Sequence, residues 1–268
     1  MNTIDILTIG NLTEDINIIN NKMHTSIGGT SFYAYKVAEK LGYDLRIVTE
    51  ISEKLNVAKK INPKKIISQK AQLHTIFENT YLKGQRKQKV LNAPGKIISK
   101  NLIKKLEKVD PKIVFYCPIL NELDSGIFSL FNKSIKICNQ SILSKKNLPN
   151  INFKIFDAVI LSEIDTNFEN ALKISSSSKI VCYTMGNKGV KIIINKEIKF
   201  FKTLDVIHVD ETGAGDVWGA SFIIFYYLMK KDLNESAALS NISASLSVTG
   251  ISDKKIPKYN EILKHYNA

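Results

Sequence analysis

The amino-acid sequence predicts an α/β protein: a three-layer αβα sandwich with a mostly parallel central sheet and a small β-hairpin lid. Three observations carry that expectation. Strand-like and helix-like runs alternate along most of the 268 residues, the pattern left by a parallel sheet with helices on both faces. Residues 74–91 break the rhythm: two strand-like runs flank the turn Lys83-Gly84-Gln85, a hairpin with no place inside such a sheet. Finally, Asp210-Glu211-Thr212-Gly213-Ala214-Gly215-Asp216 runs straight into an apolar stretch, a glycine-rich turn opening a helix.

The elements follow in order. Residues 4–9 form a short β-type run, and 15–19 a second. Thr30 is placed to cap a helix that stops at Leu41 before Gly42. Residues 45–49 are strand-like, and the hairpin comes next. From residue 99 helix and strand alternate: helices over 99–108 and 123–131, strands over 113–117 and 135–138. Strands over 157–161 and 179–184 flank a polar helix near 165–174, and strands over 190–194 and 198–200 follow. Helices over 213–230, 235–248 and 259–266 end the chain. One domain over 1–268 accounts for all of this, its lid built from the strand near 15–19 and the hairpin 74–91.

Composition narrows the classes. With 44% hydrophobic and 24% charged residues, the chain has ample material for a core. The first ten residues lack a basic start, and the longest apolar run, 219–229, is too short to span a bilayer. A cytoplasmic protein with no membrane partner is expected. Cys117, Cys138 and Cys182 lie far apart in apolar runs, which suits buried thiols better than a metal site. The net charge of +13 comes from lysines spread over the whole chain, without a nucleic-acid-binding motif, so no nucleic-acid partner is expected. Lys83, Arg86, Lys87 and Lys89 do cluster on the hairpin, where they could steer a polyanion.

The motifs point to chemistry. Free N–H groups at the start of the helix after Gly213 favour an anion, and Asp216 in its first turn is a candidate general base beside that anion. Asn11 and Asp15 follow the first strand, where ligands bind in open α/β sheets, and both can accept hydrogen bonds from a polyol. They would serve equally as turn and cap. Gly28-Gly29 precedes a helix and permits close approach of a small ligand, or forms a plain loop. Thr184-Met185-Gly186-Asn187-Lys188-Gly189 joins two strands; it is not a phosphate-binding P-loop, and a β-turn explains it as well.

Taken in order, Asp15, Gly28-Gly29, the hairpin, the Thr184–Gly189 loop and Thr212–Asp216 resemble the ribokinase-like family of carbohydrate kinases (phosphofructokinase-B type) over essentially the whole chain. Within it, the Gly10-to-Asp15 motif, the hairpin over 75–86 and the stretch 210–217 are most similar to the myo-inositol kinase branch. The resemblance implies ATP-dependent phosphorylation of a hydroxyl on a small polyol, myo-inositol or a related cyclitol or sugar. A nucleoside or ribose-type sugar kinase, and a catalytically weak ligand-binding regulator, are the alternatives. It implies that Asp216 takes the hydroxyl proton and that the N–H groups of Gly213, Ala214 and Gly215 form the anion hole. Thr184, Gly186, Gly189 and Thr212 would line the nucleotide. Asn11, Asp15, Gly28, Gly29, Ser31 and Arg86 would hold the acceptor, with the hairpin closing over it. ATP and Mg2+ are the implied cofactors, with a monovalent cation as an option, and a monomer or homodimer the implied assembly. Three departures stand out. Ser162-Glu163-Ile164-Asp165 replaces the family's Asn-x-x-Glu, leaving Glu163 and Asp165 to reach the metal through water. Ser31-Phe32-Tyr33 stands where many members place an Asn that contacts sugar. Cys138-Asn139-Gln140-Ser141 stands where the branch often has Asp-x-Gln-Gly, with Gln140 matching and the acid absent.

Overall fold

The computed structural model describes residues 2–19, 21–82, 85–92, 97, 100–119, 122–123, 125–140 and 151–268. The hairpin-turn residues Lys83 and Gly84, the expected helix start at Ser99, Ser141 and the Lys145-Lys146 pair lie outside them.

Two sheets organise these residues. The large one contains β1 (Asn2–Ile9), β4 (Leu45–Ser52), β5 (Ile66–Ala71), β8 (Val109–Tyr116), β9 (Ile135–Asn139), β10 (Ala158–Ser162), β11 (Ile180–Thr184), β12 (Val190–Ile194) and β13 (Glu197–Phe201). Their order is β13-β12-β11-β10-β9-β8-β1-β4-β5. The pairings are parallel from β5 to β11, and the two at the other edge, β11–β12 and β12–β13, are antiparallel. The small sheet contains β2 (Thr13–Ile19), β3 (Lys22–Gly28), β6 (Thr75–Leu82) and β7 (Gln85–Asn92), in the order β3-β2-β6-β7.

Apolar residues on both faces of the large sheet dictate the layers. Ile113 and Phe115 belong to one core, with residues of α1 (Thr30–Leu41), α4 (Ala214–Phe222) and the helical turns that continue it; Val114 and Tyr116, their neighbours in the same strand, belong to the other. That second core is closed by α2 (Lys100–Leu106) and α3 (Phe168–Ser175). Each fully buried side chain of this size contributes about 1.5–3 kcal/mol. α5 (Leu233–Ser247) packs on α4, and Ile262 of α6 (Tyr259–Tyr266) joins Leu239 and Ile242 in a smaller apolar cluster. Among the described residues no helix is long and apolar enough to cross a membrane.

Several expectations change. Thr30 is the first residue of α1, not its cap; the cap is Gly29, at φ +89°, with no side-chain hydrogen bond. The helix expected over 123–131 is only a 3-10 turn, Ser125–Ser129. The expected helix 213–230 is α-helical to Phe222 and π-helical over Ile223–Leu228. Rings stack along this stretch, with centroids 5.1 Å apart for Trp218 and Phe222 and 5.3 Å apart for Phe222 and Tyr226. Two strands were not expected. In β5 every residue is half-buried or exposed, so it lacks an apolar signal. β3 reads Lys-Met-His-Thr-Ser-Ile-Gly, and its first five residues are exposed or half-buried.

Candidate functional site

The carboxyl ends of β1, β8, β9, β10 and β11 share one edge of the large sheet, with the starts of α1 and α4 beside it. Asp216 sits in the first turn of α4. Its Oδ1 accepts hydrogen bonds from Thr30 Oγ1 at 2.7 Å and from Asn139 Nδ2 at 2.9 Å. The start of α1 and the end of β9 therefore orient this carboxylate together. The Trp218 indole donates to Asn241 Oδ1 at 2.7 Å, and the Asn241 amide donates to the carbonyls of Phe201 and Lys202. These bonds pin α4 to α5 and to the end of β13.

Gly213 caps α4 in the left-handed conformation, φ +79°. A Cβ there would also strike the ring of Tyr33. Glycine is thus required twice, once for the turn and once because Tyr33 fills the space beneath it. Tyr33 is 1% exposed. Burial first, then the charges of Asp15, Asp210 and Asp216, push its hydroxyl well above the ordinary tyrosine range. These charges come from two segments of the chain, β2 and the 210–216 stretch. Burial and then the Asp216 charge likewise raise the Cys117 thiol.

On one side of Asp216 lies the β11–β12 loop. Thr184 Oγ1 donates to the Leu161 carbonyl at 3.1 Å, and a Cβ on Gly215 would stand 4.0 Å from it. Gly186 and Gly189 both have positive φ, +55° and +109°. Lys188 pairs with Glu163 at 3.1 Å, and a Cβ on Gly186 would face Glu163 Oε1. The Asp165 N–H donates to the Ser162 carbonyl in the same turn. Among the described residues no cluster of three His, Cys, Asp or Glu side chains forms a metal cage.

The small sheet lies on the other side. Strand alternation puts Thr13, Asp15 and Asn17 of β2 on its buried face. Their register partners on that face are Ser26 and Gly28 of β3, and Thr75, Phe77 and Asn79 of β6. Asp15 is 4% exposed, accepts from Thr13 Oγ1 at 2.7 Å, and lies so close to Gly28 that any side chain there would collide with its carboxylate. A chain of amides crosses the same face: Gln88 Nε2 donates to Asn79 Oδ1 at 3.0 Å, and Asn79 Nδ2 to Asn17 Oδ1 at 2.8 Å. Asn17 Nδ2, Ser26 Oγ and Thr75 Oγ1 are buried without a hydrogen-bond partner. Asn11 Oδ1 accepts from the Glu50 N–H, while its Nδ2 is also buried and unpartnered. Ser31 is fully buried and its hydroxyl donates to the Gly10 carbonyl, a bond internal to the fold. Arg86 lies in β7, paired with Tyr81; its side chain is outside the description.

The sequence-predicted residues thus connect to Asp216 by two routes. Gly213–Gly215 share its helix start and bring in Thr184; Thr30, bonded to Asp216, follows Gly28-Gly29, against which Asp15 packs. Sequence reasoning missed Thr30, Asn139, Tyr33, Asn17, Asn79 and Tyr81. Asn139 had a signal, as a polar residue ending a central strand. The others became visible only when distant segments met.

This arrangement defines a ribokinase-like protein by fold. A ribokinase of Arabidopsis thaliana, solved with ribose and ATP, superposes with a TM-score of 0.76 at 18% identity, covering 98% of each chain. A pyrophosphate-dependent kinase of the ribokinase family, solved with a pyrophosphate analogue and myo-inositol, superposes with a TM-score of 0.78 at 16% identity, covering 97% of this chain and 99% of that one. Residues 148–257, the segment carrying both the Thr184 loop and Asp216, match the pfkB family of carbohydrate kinases. A Pyrococcus horikoshii protein described as a candidate sugar kinase is 29% identical over 117 residues. That match covers 43% of this chain, which spans little more than a third of the relative, 38%.

Proposed function

We propose that the protein is an ATP-dependent kinase that phosphorylates a hydroxyl of a small polyol, with myo-inositol or a related cyclitol or sugar as acceptor. One observation carries this reading: Asp216 Oδ1 is oriented by Thr30, at the start of α1, and by Asn139, at the end of β9, and the same α1 start follows Gly28, against which the Asp15 carboxylate packs. An acceptor hydrogen-bonded to Asp15 would then present a hydroxyl to Asp216. That hydroxyl attacks the terminal phosphorus of ATP, its proton passes to Asp216, and the bond to the departing ADP breaks. The N–H groups of Gly213, Ala214 and Gly215 would receive the charge of the transferring group. Thr184, Gly186, Gly189 and Thr212 would line the donor.

Magnesium supplies charge neutralisation between donor phosphates in such transfers. Glu163, braced by Lys188 beside Gly186, suits a water-mediated contact to it, and Asp165 is in the same turn. We assign no protein cage to the metal.

The acceptor class rests on the lid. Its buried face offers amides, hydroxyls and a carboxylate, groups that suit several hydroxyls better than a nucleobase. A ribose-type acceptor fits the same donors, and the ribokinase likeness favours it equally. An ATP-consumption screen across myo-inositol, ribose, fructose, adenosine and cytidine separates these readings. Tight ligand binding without turnover of any of them would sink the kinase assignment and leave a binding protein on this fold.

A further inference from the structure

We propose that Tyr81 is the residue through which the lid fixes the shape of the anion hole, a positioning residue that couples lid closure to phosphoryl transfer. The transfer half of this statement rests on the kinase reading; the structural half does not. Tyr81 is next to last in β6, and its hydroxyl reaches from the small sheet to the segment that opens α4. It lies 2.8 Å from Asp210 Oδ1 and 2.7 Å from Thr212 Oγ1.

The protons can be assigned. A tyrosine hydroxyl has one proton, and an ionised carboxylate only accepts. Tyr81 therefore donates to Asp210, and the Thr212 hydroxyl donates to Tyr81. Asp210 Oδ1 also accepts the Thr212 N–H at 2.9 Å, and Oδ2 accepts the Ser252 N–H at 3.0 Å. Asp210 is 2% exposed, so water cannot readily replace a lost donor while its surroundings stay packed. Lid, motif and the loop before α6 meet at this one carboxylate.

Raising the lid removes a donor from Asp210 and an acceptor from Thr212 in a single motion. Thr212 immediately precedes Gly213, whose left-handed backbone sets the direction of the N–H groups behind it. The turn is then fully defined only while Tyr81 is docked. An enzyme built this way holds its phosphate cradle in shape while the lid is docked and loosens it when the lid is raised. A tyrosine that merely sealed the lid would have no effect on the turn.

Hydrogen exchange on the full chain without substrate tests the structural half. The N–H groups of Thr212, Ala214 and Val217 are each hydrogen-bonded, to Asp210, Glu211 and Gly213. In Tyr81→Phe, which keeps the ring, we expect these amides to exchange about ten- to a hundredfold faster, the size of a lost hydrogen bond to a charged group. Amides of β8 and β10 should be unchanged, which shows that the variant is folded. Thr212→Val, which leaves the Tyr81–Asp210 bond, should give a smaller increase at Ala214 and Val217. Unchanged exchange at all three amides in folded Tyr81→Phe overturns the proposal. With an acceptor from the screen, Tyr81→Phe should lower kcat and raise the number of ATP molecules hydrolysed per acceptor phosphorylated. A fall in both rates at a constant ratio also counts against the coupling. If the wild-type chain phosphorylates no acceptor, the kinase reading fails, while the exchange result still decides the role of Tyr81 in shaping the turn.

Discussion

The two sheets differ in how far their buried polar atoms are paired. At the carboxyl edge of the large sheet most have partners: Asp216 accepts from Thr30 and Asn139, Thr184 donates to Leu161, and Ser31 donates to Gly10, with Asn11 Nδ2 an exception. On the buried face of the small sheet, Asn17 Nδ2, Ser26 Oγ and Thr75 Oγ1 have no partner. Each such atom costs about 1–3 kcal/mol unless something satisfies it. The large sheet therefore carries a preorganised edge, and the small sheet a surface whose hydrogen bonding a ligand would complete. Preorganisation suits the step that stabilises charge; unmet donors suit the step that chooses a substrate.

The largest effect should come from the preorganised edge. Asp216→Asn keeps the shape and removes the proton acceptor, and kcat should fall about 10²–10⁴-fold. Steady-state kinetics with the acceptor found in the screen measure this, and a near wild-type rate would show that the base is elsewhere. Gly213→Ala tests the same edge through its backbone. Alanine must adopt φ +79° and its Cβ must displace the Tyr33 ring. We expect a loss of about 2–4 kcal/mol, read from denaturant unfolding. A variant as stable as wild type would mean that Tyr33 is free to move.

The unsatisfied face should respond differently. Asn17→Asp keeps the oxygen that accepts from Asn79 and exchanges the unpartnered donor for an acceptor. The acceptor KM should rise roughly tenfold while the ATP KM stays within about twofold, in line with one hydrogen bond lost on one side only. Equal changes in both constants would erase the distinction between the two sheets.

The same contrast explains what was legible in the sequence. The edge around Asp216 was readable because its signals are local: two glycines, a carboxylate and an apolar run within about twenty residues. Strands such as Ile180–Thr184 and the helix Tyr259–Tyr266 were readable because apolar periodicity sets them. The small sheet was only half legible. β3 is polar and exposed at its start, and its pairing with β2 arises from chain reversal, not from an apolar pattern. Tyr81 is far in the chain from Asp210 and Thr212, and Tyr33 was only part of the Ser31-Phe32-Tyr33 departure until Gly213 was seen above it. Contacts of this kind come from topology, which spacing does not encode.

The opposite edge of the large sheet supplies the smallest effect and a control for the others. Asp5 in β1 accepts from Lys112 Nζ at 2.7 Å and from the Asp44 N–H at 3.0 Å, across the strand starts and away from Asp216. Burial alone would raise its carboxyl, but the Lys112 and Asp44 hydrogen bonds outweigh it and hold it below the ordinary aspartate value. A lowered folded value means that the ionised form stabilises the fold above the unfolded value of about 3.9. That contribution is lost as pH falls through the lower folded value. Lys112 is solvent-exposed and Asp5 half-buried, so solvent screens the pair and Asp5→Asn should cost no more than about 0.5–1 kcal/mol at pH 7. Urea unfolding of both proteins at pH 7 and near pH 3 should show the gap narrowing at acid pH, with kcat and both KM values unchanged at pH 7. A change in acceptor KM would link the two edges of the sheet and break the separation between scaffold and site.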